Sequence, residues 1–254
     1  MRDTRLEQDE VATGIPVIGG ARWLTPERID APELLDQPGN ELRDIETSLN
    51  DLWRINRYLG GLRALTCHLF PRLRTAGGAV TCLDLGAGAA QIAHVVDRWA
   101  QRERCAVRVV SLDVSLQHLH IARKRSGFPA SALPVQADAT WLPFAPRSVD
   151  YVVSSLFLHH FAPDAAISLL RSATAIARRG LVMTDLVRAW PPLLGFKALQ
   201  PVIGRSVIPR HDAVVSIRRG YTPGELTDLA RAAGLPSPRV HRHFPWRMTL
   251  VADK

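Results

Sequence analysis

Three short apolar runs in this chain each lead into an aspartate. Asp84 stands in TCLDLGAGAAQ, Asp113 in VVSLDVS and Asp138 in PVQADAT. Directly after the first come Gly86, Ala87 and Gly88. A residue without Cβ lets backbone approach a ligand closely, and a helix starting just beyond would offer unpaired N–H groups. That is binding chemistry. A second group of residues suits proton transfer. His159 and His160 are neighbours in SSLFLHHFAPD, and His211 precedes Asp212 in PRHDAVVSIRRGYTPGEL. An imidazole titrates near neutrality. Adjacent histidines point apart, so one of the first pair can serve as a base while the other shapes the loop. His211 and Asp212 read either as a base with its orienting partner or as part of a solvated basic loop. Cys67, Cys82 and Cys105 lack CxxC spacing, and no HxxxH pattern or acidic cluster is present. No metal site and no disulfide framework are expected.

The elements that must position these groups alternate. From Leu42, apolar residues recur at three- and four-residue steps, which predicts a helix ending at Gly60-Gly61. A second helix carries Leu62, Leu65, Leu69 and Leu73 and stops at Gly77-Gly78. Strands are expected at Val80–Leu85, Ala106–Leu112, Ala132–Gln136, Val149–Ser154 and Gly180–Leu186. Helices are expected between them at Ala89–Ala100, Leu116–Lys124 and Ala165–Ile176. This is an α/β pattern, a doubly wound and mostly parallel sheet. Trp190–Pro209 is apolar and contains Pro191-Pro192, read here as helix-breaking, with a short helix after Gly195. It reads as part of a lid inserted over about 188–220, with Arg210–Arg219 as a loop. Pro223–Ala233 fits a helix capped by Thr222, and two strands follow around Pro245. Residues 1–40, rich in Pro, Gly and acids, read as an extended or partly disordered arm. Residues 41–78 read as a helical cap and 79–254 as the main domain.

Composition narrows the class. The chain has 254 residues, 46% hydrophobic and 22% charged, enough for one large core. No run of about 18 uncharged apolar residues suggests a membrane span, and MRDTRLEQDE is too charged for a secretory leader. A cytoplasmic protein is expected. Residues 1–50 hold 5 basic and 11 acidic side chains, and the remainder 27 and 13. A basic body can attract nucleic acid; it can equally reflect a preference for Arg, which makes up 29 of the 32 basic residues.

With the glycine turn and three strand-end acids in place, the chain resembles the class I S-adenosylmethionine-dependent methyltransferases, over roughly Leu42 to Val251. LDLGAGAA is close to their first-strand motif; Ala90 stands where many members have Gly. A dinucleotide fingerprint would need a third glycine where Gln91 stands. The resemblance implies a seven-stranded sheet and binding of S-adenosyl-L-methionine, with S-adenosyl-L-homocysteine as product. It implies that Asp113, with Val114 beside it, takes the ribose hydroxyls. Asp138 and Ala139 would face the adenine, and Gly86, Ala87, Gly88 and Ser154 would complete the cofactor site. Carboxylates suit a diol because they accept two hydrogen bonds. Asp84 fixes the turn, faces the amino group, or caps the next helix. Arg57 would pair with the cofactor carboxylate, or face solvent as Arg54 does.

The acceptor is read from the later segments. After the fourth strand, Ser154-Ser155-Leu156-Phe157 replaces the Asn/Asp/Ser-Pro-Pro-aromatic motif of base-modifying enzymes, and no Pro-Cys nucleophile appears. This stretch, with its His pair, is similar to small-molecule enzymes of the ubiquinone/menaquinone-biosynthesis type, and the first helix resembles that of bacterial secondary-metabolism methyltransferases. Asn56, Asp185, Arg210 and Asp212 are the candidate acceptor contacts. The expected reaction is O-methylation of a phenolic or enolic hydroxyl on an apolar aromatic or polyketide-type metabolite. C-methylation of a quinone precursor or similar activated ring, RNA methylation, and cofactor binding without turnover are the alternatives. Oligomeric state is left open.

Overall fold

The computed structural model describes residues 25–37, 39–124, 128–203 and 207–254. The expected arm before residue 25 lies outside them. Two helices come first, α1 (Leu42–Tyr58) and α2 (Gly61–Thr75), broken where Gly60 adopts φ +79°. Then β1 (Val80–Leu85), α3 (Gln91–Glu103), β2 (Val107–Asp113), α4 (Leu116–Lys124), β3 (Ala132–Gln136) and β4 (Val149–Ser155) follow. A single 3-10 turn, Leu158–His160, leads to α5 (Pro163–Ile176) and β5 (Ala177–Leu186). After these come α6 (Trp190–Ile203), α7 (Val207–Arg219), α8 (Pro223–Ala232), β6 (Arg239–His243) and β7 (Arg247–Asp253).

The strands form one seven-stranded sheet, ordered β3-β2-β1-β4-β5-β7-β6. All neighbours are parallel except β5–β7 and β6–β7. Strand order reverses between β1 and β4, and such a switch point is where a doubly wound sheet opens a crevice. Alternate residues of each strand feed cores on opposite faces. Val152, Leu181 and Leu250 pack with α5 and α8, while Val153, Val182 and Val251 pack with α2 and α3. Helix α8 begins with a full capping box between Thr222 and Glu225, which satisfies two orphan donors reciprocally.

Two expectations in the inserted region are corrected. Pro191 and Pro192 do not break a helix; they sit in the first turn of α6, where a missing N–H costs nothing and the fixed φ is already helical. The segment read as a basic loop, Arg210–Arg219, lies within helix α7. Ala213 and Ile217, four residues apart, pack on Leu193 and Phe196 of α6. The charges that suggested a loop belong to the other face, where Asp212, Ser216 and Arg219 are buried against residues 25–37. Among the described residues no helix is long and apolar enough to cross a membrane.

Candidate active site

A cavity of about 790 Å³ opens over the carboxyl ends of β1, β2 and β4, roofed by α1, α6 and α7. Its floor is the glycine turn. Gly86 has φ +67°, and a Cβ there would lie 2.1 Å from the Phe157 ring, so only glycine fits. Gly88, with φ +53°, meets nothing nearer than Leu49 at 3.5 Å. Its N–H donates to Asp113 Oδ2 over 2.7 Å, and Ser115 N–H donates to Oδ1 over 2.8 Å. His118 Nδ1 lies 3.3 Å from the same carboxylate. Asp113 is thus the post that holds the turn and the start of α4 together, and it lines the cavity. Val114, Ala87 and Ala139 line it as well. So does Asp138, whose Oδ1 accepts from Thr140 N–H and Oγ1, both over 2.8 Å.

Three residues assigned to the cofactor do not reach the cavity. Ser154 faces the sheet interior, and its neighbour Ser155 lines the cavity instead, as alternation along a strand requires. Arg57 is exposed and lies over the Tyr58 ring, 5.7 Å from its centroid. Asp84 is fully buried beneath the turn, and neither carboxylate oxygen has a partner. It does not cap α3, whose N-cap is Ala90. Burial, and then the nearby Asp113 charge, push its pKa well above the usual carboxylate range.

The histidine pair divides into two roles. His159 is 2% exposed. Its Nδ1 lies 2.7 Å from Asp185 Oδ1, its backbone N–H donates to Oδ2 over 2.9 Å, and its Nε2 is 3.2 Å from Glu33 Oε1. Burial alone would lower its pKa, but the charge and hydrogen bond of Asp185, with Glu33, raise it to about 10. Glu33 responds in kind: burial would raise it, yet His159, His160 and the Ser216 hydroxyl bring it down to about 2. His159 is therefore a fixed imidazolium with both nitrogens committed, which removes it as a base. His160 also lines the cavity, with its Nδ1 3.3 Å from Asp36 and its Nε2 4.0 Å from Glu33.

Asp185 does not contact the cavity; it is the carboxylate that pins His159 from below. Asp212 likewise leaves the acceptor set, because it does not line the cavity; its two oxygens accept from Leu34 and Leu35 N–H over 2.7 and 2.9 Å. His211 lies 3.0 Å from Asp212 and is half exposed outside the cavity, and Arg210 does not line it either. Both had been assigned to a loop that is in fact helical. Asn56 lines the cavity and donates to Ser155 Oγ over 3.1 Å.

Sequence reasoning missed Glu33, Asp36, Ser155, Phe157 and Arg247. The first two belong to residues 25–37, an irregular segment laced onto the site. There Arg28 donates to Phe161 O over 2.7 Å and to Arg219 O over 2.9 Å, and Arg219 donates to Ala31 O over 3.0 Å. No periodicity marks such a segment. The structure also gathers two groups of metal-ligand type, Glu33 with His159 and His160, and Cys67 with His68 and His243. Ligand spacing along the sequence did not anticipate these groupings, which fold together from distant segments. In the first, hydrogen bonds already commit His159 on both sides.

Residues 83–183 match a methyltransferase domain family. A comparison with curated proteins finds no match. Among solved structures, the chain is similar to the plantazolicin methyltransferase BpumL, bound to a monoazolic desmethyl analogue and S-adenosylhomocysteine. The TM-score is 0.61 at 14% identity, over 82% of this chain and 89% of that one. It is also similar to an S-adenosylmethionine-dependent methyltransferase from Aquifex aeolicus, with TM-score 0.54 and 14% identity, over 79% and 97%. A third is the CMeT domain of the citrinin polyketide synthase, with TM-score 0.57 and 15% identity, over 83% and 56%. The cavity fits that cofactor: a turn closed to side chains at Gly86, an acid post at Asp113, and an exposed acid at Asp138 are what an amino acid, a diol and an adenine need. The match over residues 83–183 marks a methyltransferase domain within the chain, the fold is that of S-adenosylmethionine-dependent methyltransferases, and the cavity fits their cofactor.

Proposed function

We propose that the chain methylates a small, largely apolar aromatic or polyketide-type molecule at a phenolic or enolic hydroxyl. The observation that carries this reading is the acceptor side of the cavity. Its walls are Leu52, Trp53 and Ile55 of α1, Phe196 of α6 and Ile217 of α7, and His160 stands among them. Apolar walls with a few convergent polar groups are the usual form of a small-molecule site.

S-adenosylmethionine, when bound, supplies an electrophilic methyl group. The chain supplies position and proton removal. Helices α1, α6 and α7 cover the cavity and hold a flat apolar acceptor beside the cofactor site, so that reaction becomes effectively unimolecular. A phenol has a pKa near that of Tyr, about 10, so its proton must leave as the new bond forms. His160 is placed to take it: Asp36 engages Nδ1, and Nε2, with Glu33 no nearer than 4.0 Å, is left as the acceptor. The plantazolicin and citrinin names among structures of like fold agree with a natural-product acceptor. The test is incubation of purified chain and methyl-labelled cofactor with phenols, quinols and RNA. Label is expected on oxygen of a phenol or quinol. Label on ring carbon would replace O- by C-methylation, and transfer to RNA alone would overturn the reading.

A further inference from the structure

Among the described residues, one cationic side chain of the cavity has no hydrogen-bond or ion-pair partner. Arg247 begins β7 opposite Leu186, the last residue of β5. It is 3% exposed and lines the cavity, and among the described residues its side chain makes no ion pair or hydrogen bond; its Nε is buried and unpartnered. Burial lowers its pKa to about 10 against the pull of Asp185, whose oxygens are already engaged by His159. Beside it is the converse case. Asn56 Oδ1 is a buried acceptor without a donor, while its Nδ2 is fixed on Ser155. Gly61 allows this approach. A Cβ there would lie 1.8 Å from Asn56 Oδ1 and 3.2 Å from Arg247 Nε.

A charge withdrawn from water with no carboxylate in direct contact is unfavourable, and a buried polar group without a partner asks for an explanation. A cationic and an amide side chain, packed together at Gly61 and both lining one cavity, match a zwitterion. The single guanidinium fits a carboxylate, which its fork can bind in two-point fashion, and the amide oxygen fits an ammonium. The position agrees. Ser155, to which Asn56 is bonded, ends β4, which lies one strand spacing, ~4.8 Å, from the strand bearing the glycine turn. We infer that Arg247 and Asn56 form the subsite for the α-amino-acid end of the cofactor, whichever acceptor is methylated.

The test compares S-adenosylhomocysteine with 5′-methylthioadenosine, which keeps adenosine and thioether but lacks the amino acid, by calorimetry on the full chain. Arg247→Gln should weaken S-adenosylhomocysteine about 10- to 100-fold, the range for a hydrogen bond to a charged group, and leave methylthioadenosine unchanged. Asn56→Leu should show the same selectivity. The ligand-free Arg247→Gln protein should melt no lower than wild type, since it loses only an uncompensated charge. Unchanged S-adenosylhomocysteine affinity, or equal loss for both ligands, overturns the assignment. If Arg247→Gln fails to fold, Arg247→Lys decides by the same comparison. An anion from the acceptor would show itself differently. Benzoate binding to the S-adenosylhomocysteine complex would be lost in Arg247→Gln with S-adenosylhomocysteine binding intact, and that too overturns the cofactor assignment.

Discussion

His159 and His160 share a residue type and a loop, and burial separates their chemistry. His159 sits between two carboxylates and stays protonated, so it can neither accept nor usefully give a proton near neutral pH. His160 has Asp36 3.3 Å from Nδ1 and Glu33 4.0 Å from Nε2, beyond hydrogen-bond reach, so Nε2 stays open to the acceptor. His160→Gln should therefore lower kcat by roughly 10²–10⁴-fold, the usual worth of general-base assistance, with S-adenosylhomocysteine affinity retained. His159→Gln should act on folding. Removing one partner of a buried charge pair costs about 3–5 kcal/mol, read from chemical denaturation. His211→Ala, outside the cavity, should leave both quantities near wild type. Equal kcat losses in the His159 and His160 variants, without loss of stability in the former, would sink this division. The ligand-type cluster at Glu33 gives a companion expectation: with His159 held by carboxylates on both sides, chelator treatment should leave turnover intact. Loss on EDTA treatment, restored by a divalent cation, would make the cluster a metal centre.

At the scale of elements, the site is a sheet edge closed by α7 and residues 25–37. Asp212 of α7 clamps that segment through Leu34 and Leu35 N–H, and the segment delivers Glu33 and Asp36 to the histidines. Asp212→Ala should cost roughly 1.5–3 kcal/mol in clamping, the range for hydrogen bonds to a charged group. It should raise acceptor KM and speed proteolysis within residues 25–37 while cofactor affinity holds; unchanged KM and cleavage would show the clamp to be idle. These elements also show what a sequence reader can see. The sheet was legible because each strand is a short apolar run, and the acids at Asp113 and Asp138 follow directly from where those runs stop. Glu33 was not legible, since its segment has no period and its partners lie more than 120 residues away. Nor was Arg247, whose importance lies in what it lacks. Helix α7 was misread because its buried polar face, Asp212, Ser216 and Arg219, imitates a solvated loop, although Ala213 and Ile217 carry the four-residue step of a helix.

For the whole molecule, the Glu33–His159–Asp185 network joins four parts of the fold: the N-terminal segment, the loop after β4, the end of β5, and α7 through Ser216. Its contribution to stability must depend on pH, and the direction follows from linkage. Glu33 is lowered from 4.5 to about 2 in the folded chain, so its contribution is present above pH 4.5 and is lost as pH falls through about 2. Asp185 is lowered as well, from 3.8, and acts in the same sense. His159 is raised from 6.5 to about 10, so its contribution is complete below pH 6.5 and is lost as pH rises through about 10. The three overlap fully between pH 4.5 and 6.5. The net charge of +8 also makes overall stability drift with pH, and subtracting a variant that lacks the network removes most of that drift. The difference in unfolding free energy between wild type and His159→Gln should therefore be largest at pH 4.5–6.5 and shrink on either side. A difference that stays flat from pH 4 to 10 would mean that His159 is neutral in the folded chain. It would then be free to act as a base, and the assignment of that role to His160 would fail with the network.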